Sequence, residues 1–196
     1  MEGNIVNGTG KETGVVVNGI LANIYGDTFV ANHVPLAEGT NTITATATDV
    51  QGKTITALLV VNVLSAQDYI RITASSEAGI EPLETVLKID SSLDLTNASL
   101  ESTGPGEVEM LSSSQTEYRV KMAVEGVYHF TLKVTDASET LYEDTIGIIL
   151  LSKEEIDTLL TGKWEGMRVK LATGDLGPST LLPVTGIAPE GAGGMS

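Results

Sequence analysis

The chain has 196 residues, of which 41% are hydrophobic and only 4% aromatic, so its core must be built from Val, Ile, Leu and Ala. Eleven Lys and Arg against 26 Asp and Glu leave a net charge of −15, which repels nucleic acid and anionic lipid, because phosphate recognition needs clustered cations. Cysteine is absent, which excludes disulfides, thiolate metal sites and a cysteine nucleophile and suits a bacterial or archaeal source.

From the N-terminus, MEGNIVNGTG offers neither the basic region nor the apolar stretch of a signal peptide. Gly8-Thr9-Gly10-Lys11 resembles a phosphate loop only in part. The full pattern needs Gly at position 5 and Ser or Thr at position 12, where Ile5 and Glu12 stand, so a polar hairpin loop is the reading. Short strands are predicted over 4–7, 13–18, 20–25, 28–34, 40–48 and 53–63. Asn18-Gly19 and Gly26-Asp27 supply turns, since Asn and Gly tolerate positive φ.

Glu38–Asp49 reads EGTNTITATATD, with Ile43, Ala45 and Ala47 on one face and Thr42, Thr44, Thr46 and Thr48 on the other. Residues 125–136, 87 positions later, read EGVYHFTLKVTD and share five of the twelve identities. Here Tyr128, Phe130, Leu132 and Val134 alternate with His129, Thr131, Lys133 and Thr135. Period two with β-branched residues marks half-buried strands. The equivalence runs on without a gap, Leu64-Ser65 matching Leu151-Ser152. The chain is therefore expected to hold two copies of one all-β unit, over 1–65 and 69–151. The join Ser65-Ala66-Gln67-Asp68 is too short for a flexible tether, so the copies are expected to stack end to end as a stiff rod.

Within the second copy, strands are predicted over 69–74, 83–90, 117–124, 127–135 and 140–150, with a variable middle at 99–111. Ser152-Lys153-Glu154-Glu155 then forms a capping box, and Ile156, Leu159, Leu160, Trp164, Met167 and Leu171 follow at helical spacing. A helix is expected over 152–174 and a disordered tail over 175–196, where Pro and Gly accumulate. The apolar runs at 57–64 and 146–151 fall far short of the roughly 18 residues of a membrane span. Leu182-Pro183-Val184-Thr185-Gly186 matches a wall-sorting motif but lacks the apolar span and basic tail that follow a working one. Asn7 and Asn97 open glycosylation sequons.

With the strands placed, Pro82-Leu83, Gly104-Pro105-Gly106 and Glu125-Gly-Val-Tyr128-His-Phe130-Thr-Leu132-Lys-Val134-Thr-Asp136 resemble a PKD-type immunoglobulin-like domain. Val17-Asn18-Gly19, Phe29, Val34-Pro35-Leu36, Gly39, Asn41, Ile43, Ala47, Asp49 and Gly52 are similar to the Ig-like accessory domains beside bacterial carbohydrate enzymes such as glucodextranase. The resemblance implies two tandem antiparallel β-sandwiches forming a non-catalytic spacer or adhesion segment of a larger extracellular or cell-surface protein. It also implies a protein or polysaccharide neighbour at that surface. Members of the second family carry an additional opening strand, for which the first copy has little room.

Four residues carry the site expectations. Tyr128 sits where a tyrosine corner belongs, its hydroxyl bonding back to the preceding loop, and Asn41 holds the same place in the first copy. Asp49 and Asp136 follow their strands. They either cap turns or, with Asp90, Asp94 and Asn97 as a third group, bind calcium, which needs six to eight oxygens. Turn capping is the stronger reading, and calcium is the one cofactor left open. His33 and His129 are the only histidines and fall in different copies. No Gly-x-Ser-x-Gly elbow exists, and nothing near Glu107 and Glu109 pairs them for acid–base work. No enzyme is expected. Tyr25, Tyr69, Tyr118 and Tyr142 are the spare aromatics for a sugar platform.

Overall fold

The computed structural model describes residues 1–5, 13–64 and 68–154. All regular structure there is β, up to helical backbone at Lys153 and Glu154, directly after Ser152. The rest of the 152–174 helix, the tail, the phosphate-loop-like segment and Ser65–Gln67 lie outside the described residues.

The N-terminal half contains β1 (Glu2–Asn4), β2 (Thr13–Val17), β3 (Ile20–Leu21), β4 (Asn23–Tyr25), β5 (Thr28–Val30), β6 (Gly39–Asp49) and β7 (Thr54–Val63). They form two sheets, in the orders β1-β5-β4 and β3-β2-β6-β7. The single strand expected over 20–25 is two strands on different sheets, split at buried Ala22. Val15, Val17, Ala22, Phe29, Ala31, Ile43 and Ala45 make one buried cluster between these sheets.

The C-terminal half contains β8 (Ile70–Ala74), β9 (Ala78–Ile80), β10 (Leu83–Ser91), β11 (Ser99–Thr103), β12 (Val108–Ser113), β13 (Glu117–Met122), β14 (Gly126–Thr135) and β15 (Leu141–Leu151). The sheet orders are β12-β13-β10-β8 and β11-β14-β15-β9. The variable middle resolves into β11 and β12, on opposite sheets. Strand β9 went unforeseen; it pairs in parallel with the end of β15. A second cluster holds Ile72, Leu87, Val120, Met122, Phe130, Leu132, Ile146 and Ile148, all at most 1% exposed. Alternation dictates this placement, since on β14 every second residue from Tyr128 to Val134 is buried.

Ile43 and Phe130 thus belong to separate clusters. The contact between the halves is lateral rather than end to end. Two buried hydrophobic side chains belong to neither cluster, Val30 on β5 and Ile149 on β15. Val30 lies against Gly147 of β15, so the β1-β5-β4 sheet meets the β14-β15 surface opposite the C-terminal core.

Candidate functional site

The strand corners repeat in geometry as well as in sequence. The Tyr128 hydroxyl donates to the Val124 carbonyl at 2.9 Å, four residues back. Asn41 Nδ2 donates to the Ala37 carbonyl at 2.6 Å, also four residues back, while its Oδ1 accepts from Ala37 N–H. Gly104 and Gly106 let the chain wrap the Tyr128 ring, because a β-carbon on Gly104 would strike it and one on Gly106 would lie 3.1 Å from its oxygen. Tyr128→Phe keeps the ring and orphans the Val124 carbonyl. It should cost about 1 kcal/mol, a fall of roughly 4–8 °C in the melting temperature of a unit this size, readable by calorimetry.

The turns after β6 and β14 are equally matched. Asp49 Oδ1 accepts from the N–H groups of Gln51 and Lys53, both at 2.9 Å. Asp136 Oδ1 accepts from Ser138 at 2.7 Å and Thr140 at 2.9 Å. The fourth residue of each turn is left-handed, Gly52 at φ 79° and Glu139 at φ 64°; the carboxylate cap holds that backbone even without glycine. In the third group, Asp94 Oδ1 accepts from both the N–H and the hydroxyl of Thr96, and the hydroxyl bond is the larger reason its pKa is lowered. Among the described residues no three His, Asp or Glu side chains gather as metal ligands do.

Both histidines lie at the junction between the halves, apart from each other in role. His129 Nε2 is 2.7 Å from Glu2 Oε2, joining β14 to β1. His33, in the left-handed region at φ 48°, brings Nε2 within 3.5 Å of Asp144 Oδ2. That is an electrostatic contact rather than a hydrogen bond, and the nitrogen is otherwise unpartnered; Asp144 Oδ2 accepts from Ile72 N–H instead. Between them, Asn32 bonds Gly147 twice. Its Nδ2 donates to the carbonyl at 2.8 Å, and its Oδ1 accepts from the N–H at 2.9 Å. A β-carbon at residue 147 would come within 2.6 Å of Val30 Cγ1, so only glycine admits the N-terminal half this closely.

Asn32, Glu2, Asp144 and Gly147 were not singled out from sequence. The available signal was a glycine inside the otherwise unbroken apolar run IGIILL. None of these groups forms a nucleophile–base pair in a cleft. The remaining resolved pKa shifts among side chains belong to exposed Tyr69 and to half-buried Lys133 and Tyr142. Lys133 is raised chiefly by its hydrogen bond to Glu101, Tyr69 chiefly by its bond to Asp90, and Tyr142 chiefly by desolvation. Glu109 pairs with Lys121 at 3.5 Å. Tyr25, Tyr69, Tyr118 and Tyr142 occupy β4, the approach to β8, β13 and β15. Among the described residues no helix is long and apolar enough to cross a membrane.

No family model matches the chain, and no curated protein does. Solved structures to which it is similar include the protocadherin gamma B7 extracellular cadherin domains 1–4, at 14% identity and TM-score 0.31, covering 70% of this chain and 40% of that one. The fibronectin(III)-like modules of Clostridium thermocellum CbhA align at 16% identity and TM-score 0.31, over 76% of this chain and 84% of that one. The Bacteroides ovatus mixed-linkage glucan utilization locus SGBP-B, in complex with a mixed-linkage heptasaccharide, aligns at 17% identity and TM-score 0.26, over 71% and 37%. The chain spans about two fifths of the length of the protocadherin chains that head these matches.

Proposed function

We propose that residues 1–65 and 69–151 are two Ig-like β-sandwich modules, the second PKD-like and the first similar to the glucodextranase accessory domain. In this reading they form a non-catalytic spacer or adhesion segment of a larger bacterial or archaeal surface protein. The observation that carries it is the junction. Asn32 grips both backbone polar groups of one residue, Gly147, on the other half, and that glycine admits Val30. A contact of this kind fixes the angle between two separately cored units, which is what a presenting scaffold requires. Asp49 and Asp136 serve in this reading as turn caps, and Asn41 and Tyr128 as corner braces.

Small-angle scattering tests the fixed angle. The intact chain should give one distance distribution, and Asn32→Ala, which removes two inter-half hydrogen bonds worth about 1 kcal/mol each, should broaden it. Scattering from the unaltered chain that needs an ensemble of freely varying angles would sink the proposal.

A further inference from the structure

Imidazole is the side chain whose charge ordinarily changes between about pH 5 and about pH 8. The chain has two histidines, and each faces a carboxylate across the junction. The arrangement is reciprocal. His33 of the N-terminal half lies 3.5 Å from Asp144 of the C-terminal half, and His129 of the C-terminal half lies 2.7 Å from Glu2 of the N-terminal half. The other ion pairs among the described residues, Arg119–Glu84, Lys121–Glu109 and Lys133 with Glu101 and Glu143, all lie within the C-terminal half. At the junction, therefore, the side-chain cation facing each carboxylate is one that a proton creates.

A proton changes the two pairs in different ways. His33 Nε2 is buried and without a hydrogen bond, so the neutral ring gains little from Asp144. The imidazolium carries N–H on both ring nitrogens, which turns Nε2 into a charged donor beside Oδ2. That oxygen accepts one bond, from Ile72 N–H at 2.8 Å, and a carboxylate oxygen has room for a second. His129 and Glu2 are bonded already; protonation makes that bond charge-assisted and stronger. In each pair the attraction acts only while the halves are together, so proton uptake favours the closed junction. Acid strong enough to neutralise Glu2 and Asp144 takes the attraction away again.

We infer that the junction is a proton-operated clasp: protonation of His33 and His129 tightens the contact between the halves and deprotonation loosens it, a regulation that rests on the fixed junction proposed above. Other charges stand around it. β1 brings the Met1 amino group, which donates to the Ala31 carbonyl at 2.7 Å and whose pKa is lowered chiefly by burial, against the pull of Glu2 and Asp144. β11 brings Glu101, and β14 and β15 bring Lys133 and Glu143, but these three are bound to one another. β4, packed on β15, brings Tyr25, and on β8 Arg71 stands in register opposite Asp90 of β10. The Met1 amino group also titrates, so it is held constant in the test.

The Gly147 N–H reads the junction directly, because its partner is Asn32 Oδ1 across the contact. Its protection from exchange, referred to the intrinsic rate at each pH, should rise roughly five- to tenfold in the full chain between about pH 7.5 and about pH 5.5. The double variant His33→Asn, His129→Gln keeps the Met1 amino group and places at residue 33, where φ is 48°, a side chain that tolerates the left-handed region. It should lose the rise. Glu2→Gln with Asp144→Asn, which leaves an acceptor for Ile72 N–H, should lose it equally, so that either folded pair decides. An equal rise in both double variants would overturn the clasp and assign the effect to the Met1 amino group or to relief of the net negative charge. Protection that is high but independent of pH in the unaltered chain would overturn the clasp and leave the fixed junction standing. A Gly147 amide that exchanges at the intrinsic rate at both pH values would overturn the two together.

Discussion

Phe130→Ala should destabilise the C-terminal sheet pair by about 3–5 kcal/mol and leave the N-terminal pair almost untouched. Phe130 is 1% exposed and packs only within the cluster of Ile72, Leu87, Val120 and Ile146. Truncating it removes the transfer energy of the ring and leaves a cavity that rigid strands cannot close. Folded units of this size have about 5–15 kcal/mol in total, so the loss is a large fraction of what holds the C-terminal sheet pair together. Ile43→Ala is the reciprocal experiment. It should cost the N-terminal pair less, about 2–3 kcal/mol, because Ile43 retains 7% exposure and its register partner Leu59 is 49% exposed. Hydrogen exchange resolved by residue separates the two. Each substitution should accelerate exchange in its own half. If Phe130→Ala instead accelerates β2 and β6 as strongly as β14, the two clusters form one cooperative unit.

Alternation made the long strands legible. β6, β7 and β14 lie within a residue of their expected bounds, since one buried face leaves a period-two record. The hydrogen bonds of the turn aspartates and the corner residues are local, each reaching no more than four residues along the chain. Three features left weaker marks. The sheet switch at Ala22 does not interrupt the polar–apolar rhythm, so two short strands read as one. The three residues of β9, Ala-Gly-Ile, are too few to show a period. The junction joins residues 115 positions apart through side chains that look like ordinary loop polars. Yet the run IGIILL did carry a message. Six consecutive apolar residues mark a strand covered on both faces, and Ile149 and Gly147 are buried on the second face. ALLVVNVL in β7 sends the same message, but both of its faces are exposed.

Gly147→Leu should prise the halves apart without unfolding either. The β-carbon alone would meet Val30 Cγ1 at 2.6 Å. The β15 backbone cannot retreat, because Gly147 is held in register opposite His129 and its neighbours Ile146 and Ile148 anchor the core. Relief must come from the N-terminal side. Moving it breaks both Asn32 bonds and the His129–Glu2 pair, and exposes Val30 and Ile149, whose burial is worth about 1.5–3 kcal/mol each as an upper bound. Glycine in mid-strand carries an entropic and packing penalty of its own, about 0.5–1 kcal/mol relative to alanine. Residue 147 therefore has reason to be something else unless close approach demands glycine. The expected result is a broadened scattering profile with the Phe130 cluster as protected from exchange as before. The opposite pattern, an unchanged profile with faster exchange throughout β14 and β15, would assign Gly147 to the sheet itself and remove the strongest support for a fixed junction.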